Sequence, residues 1–145
     1  MRRKRHRGFT IVELMVVTLI IALLAMIVIP RLLALVRRAK EADLLANLKV
    51  LRNAVEQFRS DCAAYPPSPS DLLVASGARI SASTDSAGRL VKREEYHGPY
   101  LRTPDGRLPV DPFTRATDWN YDSASGQVHS SCTDRGLDAT PYSSW

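Results

Sequence analysis

Residues 7–17 read RGFTIVELMVV, and they follow a leader that reads MRRKRH. One glutamate, Glu13, interrupts an otherwise uncharged and largely apolar run from Phe9 to Pro30. At about 1.5 Å per residue a helix over those positions reaches about 33 Å, enough to cross a bilayer. A secretory signal would carry a shorter apolar core, about 7–15 residues, with a small-residue cleavage pattern behind it. Here Arg31 follows directly, so the segment is expected to stay with the protein as an anchor. A carboxylate at such depth is costly unless a cation compensates it. The identity of that cation decides what the segment does.

The 145-residue chain has a net charge of +5, which on its own would point to nucleic acid. The distribution points elsewhere. Arg2, Arg3, Lys4, Arg5 and Arg7 are five of the 20 Lys and Arg residues, and none of the 15 acids precedes Glu13. The remainder of the chain is therefore neutral. A basic cluster leading straight into an apolar helix is the positive-inside pattern of membrane insertion, and no nucleic acid is expected on the folded body.

Beyond Pro30 the apolar residues thin into a stripe. Leu44, Leu48, Leu51, Val55 and Phe58 recur at spacings of four, three, four and three, one face of a helix. Lys40, Glu41, Asp43, Lys49, Arg52, Glu56 and Arg59 lie between them on the expected solvated side, with Arg52 and Glu56 at the i, i+4 spacing of a weak helix pair. The simplest reading is one helix from about Phe9 to Asp61, ended by Pro66 and Pro67. Ser70 is placed to cap a short second helix over 71–75, closed by Gly77. Residues 78–95 read as loop with a weak strand near 89–92. Residues 119–122, a Ser-Ala-Ser-Gly turn and residues 127–130 read as an antiparallel hairpin. Tyr142 and Trp145 are expected docking points of the last segment. The fold class is α+β, a long helix laid on a small antiparallel sheet. Its divisions are a leader at 1–8, a membrane half of the helix at 9–30, an amphipathic half at 31–61, and a loop-and-sheet head at 62–145.

"RGFTIVEL" behind its basic leader resembles the processing signal of type IV prepilins and type II secretion pseudopilins. The resemblance covers residues 1–65 closely and 98–131 more loosely, through "GPYL", "DPF" and "SGQVHSS". It implies that a prepilin peptidase cuts between Gly8 and Phe9 on the cytoplasmic side and methylates the new amine of Phe9. It implies that Glu13 and Pro30 serve assembly, and that the head resembles that of major pseudopilins. The implied partners are further copies in a helical homopolymer, minor pseudopilins or pilins, and an inner-membrane assembly platform. The implied location is the bacterial inner membrane, leader inside and head outside, with the filament in the periplasm or on the cell surface.

The physics of the segment agrees. Cleavage would leave a cationic amine on Phe9, about 6 Å along the helix from Glu13, and opposite charges attract strongly in a low dielectric. By the resemblance, the amine comes from a neighbouring chain, which makes the pair a register device between subunits. The plainer alternative is a glutamate that only snorkels to the headgroups. Pro30 is either tolerated by the membrane helix or a point where it bends on packing.

Two cysteines in an exported head, Cys62 and Cys132, are expected to form one disulfide, stabilising by about 4 kcal/mol on the chain-entropy model. This departs from the usual pilin placement, so no cysteine-bounded receptor loop is inferred. Major pseudopilins often bind calcium after the last strands. Asp134 and Asp138, with Asp122 as a further carboxylate, are weak calcium positions here, in a sequence thinner in Gly and Asp than that pattern. No other cofactor is expected. His6, His97 and His129 show no metal-ligand spacing, and no catalytic triad, phosphate loop or zinc-protease motif is present. The expected role is structural and not enzymatic: a type II secretion pseudopilin, with a surface type IV pilin and a membrane-anchored binding module that never polymerises as the alternatives.

Overall fold

A computed structural model describes residues 9–145; the expected leader, Gly8 included, lies outside the described residues. The chain separates into two compact units, divided between Arg38 and Ala39. Helix α1 (Ile11–Cys62) supplies the first unit and the opening of the second. Its first half is rich in Ile and Val, which are mediocre helix formers in water. In hydrocarbon, however, an α-helix satisfies every internal backbone group. Thr10 starts it, its carbonyl accepting the Leu14 N–H at 3.1 Å and its hydroxyl the Glu13 N–H at 3.2 Å. The helix continues through Pro30.

The end of α1 falls where expected but for a different reason. Ala63 takes a left-handed conformation, φ 60, and its N–H still closes on the Arg59 carbonyl at 3.0 Å. Such a residue just past the last turn stops a helix, three residues before Pro66 is reached. Downstream, Pro69–Leu73 forms a 3₁₀ turn capped by Ser68 and not by Ser70. Pro69 is the cause, because proline belongs at the first helical position and draws the start toward itself.

In the second unit, Leu44, Leu48, Leu51, Val55 and Phe58 are all buried, and Ala54 and Cys62 with them. They face Tyr65, Leu72, Ile80, Val91, Leu101, Trp119, Val128 and Tyr142 in one core. Each large apolar side chain so removed from water contributes about 1.5–3 kcal/mol before chain entropy is counted. The sheet is small. β1 (Asn120–Asp122) pairs antiparallel with β2 (Gln127–His129), in the register Asn120 with His129, Tyr121 with Val128 and Asp122 with Gln127. The hairpin stands at the expected place. The segment near 89–92 contributes only an isolated bridge between Thr84 and Leu90.

With so few ladder bonds, three buried aspartates hold the loops. Asp71 accepts the Ser68 and Ser81 N–H groups at 2.9 and 2.8 Å. Asp111 accepts the Phe113 N–H at 2.8 Å and the hydroxyl of buried Ser130. Asp85 accepts N–H groups of Ala87 and Arg89 at 3.0 and 2.8 Å and the Arg89 guanidinium at 2.6 Å. Burial pushes the Asp85 carboxyl up, but the Arg89 bonds and charge outweigh it and hold it below the usual range. These loops need no sheet because their backbone donors find a carboxylate instead.

Two expected pairings are not made, one read from helical spacing and one from cysteine number and compartment. Arg52 does not meet Glu56; it donates to the Val128 carbonyl at 2.8 Å and to the carbonyl oxygen of Trp145, while Glu56 pairs with Arg59 at 3.6 Å. Cys62 and Cys132 are free thiols, not the expected disulfide. The chain past β2 is tied to the Asn47–Arg52 part of α1, through Val128 with Arg52 and through Ser130, Asp111 and the Val110 carbonyl with Asn47. Burial, with the Asp61 charge adding to it and a Tyr100 hydrogen bond opposing, pushes the Cys62 thiol up to about 11.

Gly126 closes the hairpin turn at φ 73, and a β-carbon there would overlap the Tyr65 ring; Gly126→Ala should cost about 1–3 kcal/mol in chemical denaturation. An unchanged midpoint would contradict that account of the turn. Alkylation at neutral pH in the folded protein should label half-buried Cys132 first, with Cys62 protected until the chain unfolds or the pH approaches 11. Equal labelling rates, or no free thiols by mass, would refute this placement.

Candidate functional site: the N-terminal helix

Twenty large apolar side chains between Phe9 and Val36 are exposed, Ile11 by 80%. A water-soluble protein rarely shows an apolar patch of more than a few hundred Å². This surface needs hydrocarbon or other helices to cover it. α1 is long and apolar enough in this part to cross a membrane.

Glu13 stands in the first turn of α1, the third residue of the helix. There its charge meets the positive end of the helix dipole, and its N–H is already held by Thr10. The Thr-x-x-Glu spacing at 10–13 is a helix-start signal in its own right. This start explains the position of Thr10, which polarity alone left unread. It also has a consequence for processing: everything that starts the helix lies at or after Thr10, so a cut before Phe9 would leave the helix start intact. Phe9 is exposed, immediately outside the cap. The expected cleavage pair is thus half within the described residues, with Phe9 accessible and Gly8 outside them. Pro30 lies within the continuous helix.

The expected calcium positions fall elsewhere, in the last segment of the second unit. Asp138 accepts the Thr140 hydroxyl at 2.7 Å and its N–H at 3.0 Å, and these two bonds, the hydroxyl first, hold its carboxyl below the usual range. The Asp134 carbonyl accepts the Tyr142 N–H at 2.9 Å. Asp122 is engaged in the hairpin turn, by Ser125 at 2.5 Å and the Ala124 N–H at 3.0 Å. Among the described residues no three His, Cys, Asp or Glu side chains gather into a metal-holding group. Calcium needs six or more oxygens, and Asp122 and Asp138 each already take hydrogen bonds within their own turns.

Spacing arguments missed Glu41, placed on the solvated side of α1. Its carboxylate accepts the Tyr142 hydroxyl and the Leu137 N–H, each at 2.8 Å. The expected docking of Tyr142 is found, with its side chain fully buried.

Comparison with known proteins sets this geometry in a family. The prokaryotic N-terminal methylation motif matches residues 3–29, the stretch that holds Gly8, Phe9 and Glu13. The type II secretion system core protein G of Klebsiella pneumoniae is 32% identical over 110 residues, 76% of this chain and 71% of that protein. Its counterpart in Pseudomonas aeruginosa is 32% identical over 113 residues, 78% of this chain and 72% of that one. The type IV major pilin protein PilA of Myxococcus xanthus is 44% identical over 57 residues, 39% of this chain and 26% of the pilin. No solved structure gives a significant match. The coverage by the secretion proteins extends well past the shared N-terminal helix into the head, and the chain belongs to the type II secretion system core protein G family, the major pseudopilins.

Proposed function

We propose that this chain is the major pseudopilin of a type II secretion system, a structural subunit that polymerises through α1 into a short filament at the inner membrane. The observation that carries it is a single carboxylate, Glu13, in an exposed apolar helix start, one turn from the residue whose amine a prepilin peptidase would free. In the membrane the unassembled subunit holds Glu13 near the cytoplasmic headgroups. When chains pack side by side, the Phe9 amine of one meets Glu13 of another, and the two charges leave water together. Packing of the apolar faces supplies area, and the charge pair supplies register. Pro30 allows the helix to adjust locally as neighbours close on it. The head faces the periplasm, and further partners are the peptidase, minor pseudopilins and the assembly platform.

A second reading, a type IV pilin of a surface fibre, is favoured by the higher identity to the Myxococcus xanthus pilin along the N-terminal part. Deleting the gene separates the two. Loss of exoprotein release with no loss of surface fibres supports the secretion reading, and the reverse supports the pilus.

Glu13→Ala should leave subunits that are inserted and cleaved but yield filaments reduced by about tenfold or more, since an unpaired buried amine costs several kcal/mol. Glu13→Gln should behave alike, because it keeps shape and removes charge. Shear-released filaments and membrane-held subunits, measured by immunoblot, give the ratio. Normal filaments from both variants would support instead an anchored module in which Glu13 only snorkels.

A further inference from the structure

The segment 134–145 makes a second arrangement, on the part of α1 that carries Glu41 and Arg52. Tyr142 stacks on Phe113, centroids 4.2 Å apart at 25°, and Trp145 meets it edge-on at 5.1 Å. The Trp145 indole N–H donates to the Thr140 hydroxyl at 2.6 Å. The segment closes on itself through the Gly136 N–H to the Thr140 carbonyl at 2.7 Å and through Tyr142 to Asp134. Two α1 side chains then grip it about three turns apart. Glu41 takes the Tyr142 hydroxyl and Leu137 N–H on one oxygen, and Arg52 takes the Trp145 and Val128 carbonyls.

We infer that segment 134–145 is an intramolecular clasp, fastened to α1 by Glu41, Arg52 and the Phe113–Tyr142–Trp145 stack, and that this clasp holds without a divalent cation. The chemistry is that of a metal loop with the roles reversed. In a cation site, loop oxygens converge on a positive charge. Here loop donors, one N–H and one O–H, converge on a fixed negative charge from the helix, and a guanidinium takes one loop oxygen, that of Trp145, together with the Val128 carbonyl of β2. Charge-assisted bonds of this kind are the strong ones. The Tyr142 ring, fully buried, is what the clasp keeps in the core. The segment's own donors already fold it: one Asp138 oxygen, Oδ1, accepts both the Thr140 hydroxyl and its N–H, and the Asp134 carbonyl accepts the Tyr142 N–H. The inference concerns the unassembled subunit and is independent of the filament reading.

The test uses the purified full-length protein in detergent. Its unfolding midpoint is followed by tryptophan fluorescence, with millimolar calcium chloride or with excess EDTA. The clasp predicts midpoints equal within about 1 °C, and midpoints about 3 °C or more lower in Glu41→Ala and Tyr142→Phe under both conditions. Trypsin cleavage after Arg135, inside the clasped segment, should be about tenfold faster in both variants at temperatures where the rest stays folded. A wild-type midpoint that drops by several degrees in EDTA and is restored by calcium would overturn the inference and assign the fastening to the metal. Variants with unchanged midpoint and cleavage rate would overturn it from the other side. If Glu41→Ala does not fold, Tyr142→Phe, which removes a single hydroxyl, and the chelation of the wild type still decide.

Discussion

A charge that enters hydrocarbon must bring its opposite with it, and that constraint shapes the first half of this molecule. Glu13 could be removed from the helix without loss of apolar area or of helix propensity. It is present in the one place where the helix dipole, the cap at Thr10 and the proposed Phe9 amine all bear on it. None of these compensates it fully within a lone chain in a membrane. The proposed filament does, because a neighbouring helix offset by about one turn brings a second amine within reach. A surface of apolar side chains alone would let helices slide past one another at little cost. The charge pair limits where they stop.

The second half solves a different problem. A core built on one helical stripe needs cover, but only six residues form paired strands. Most of the cover is loop, and loop backbone carries donors and acceptors that cannot be buried unpaired. Asp71, Asp85 and Asp111 answer this by drawing backbone N–H groups onto carboxylates. Glu41 and Arg52 do the same from α1 for the last segment. The polar residues of the second unit are in this sense its missing strands.

This division also explains what was legible in the amino-acid order. The stripe from Leu44 to Phe58 reads directly because helical burial has a period, and all five positions are buried. The hairpin reads from its turn, where Asp122 and Gly126 provide the local geometry. The N-terminal signal is a linear motif and needs no fold. Buried carboxylates are illegible by pattern, because an aspartate holding two backbone donors and one facing water have the same letter. Arg52 and Glu41 were assigned to solvent since their acceptors and donors lie 76 to 101 residues away. The cysteine pair failed too: number and compartment favoured a bridge, and the fold leaves both thiols free. The end of α1 was placed within a residue, but by prolines that Ala63 forestalls.

In the proposed filament, Glu13 acquires its counter-charge when the peptide bond before Phe9 is cut. Intact mass and N-terminal fragmentation of the protein from native membranes measure this directly. The account predicts a chain that begins at a methylated Phe9, with residues 1–8 gone from the functional pool. A functional protein that still carries Met1 to Gly8 would have no amine to offer Glu13, and would contradict it.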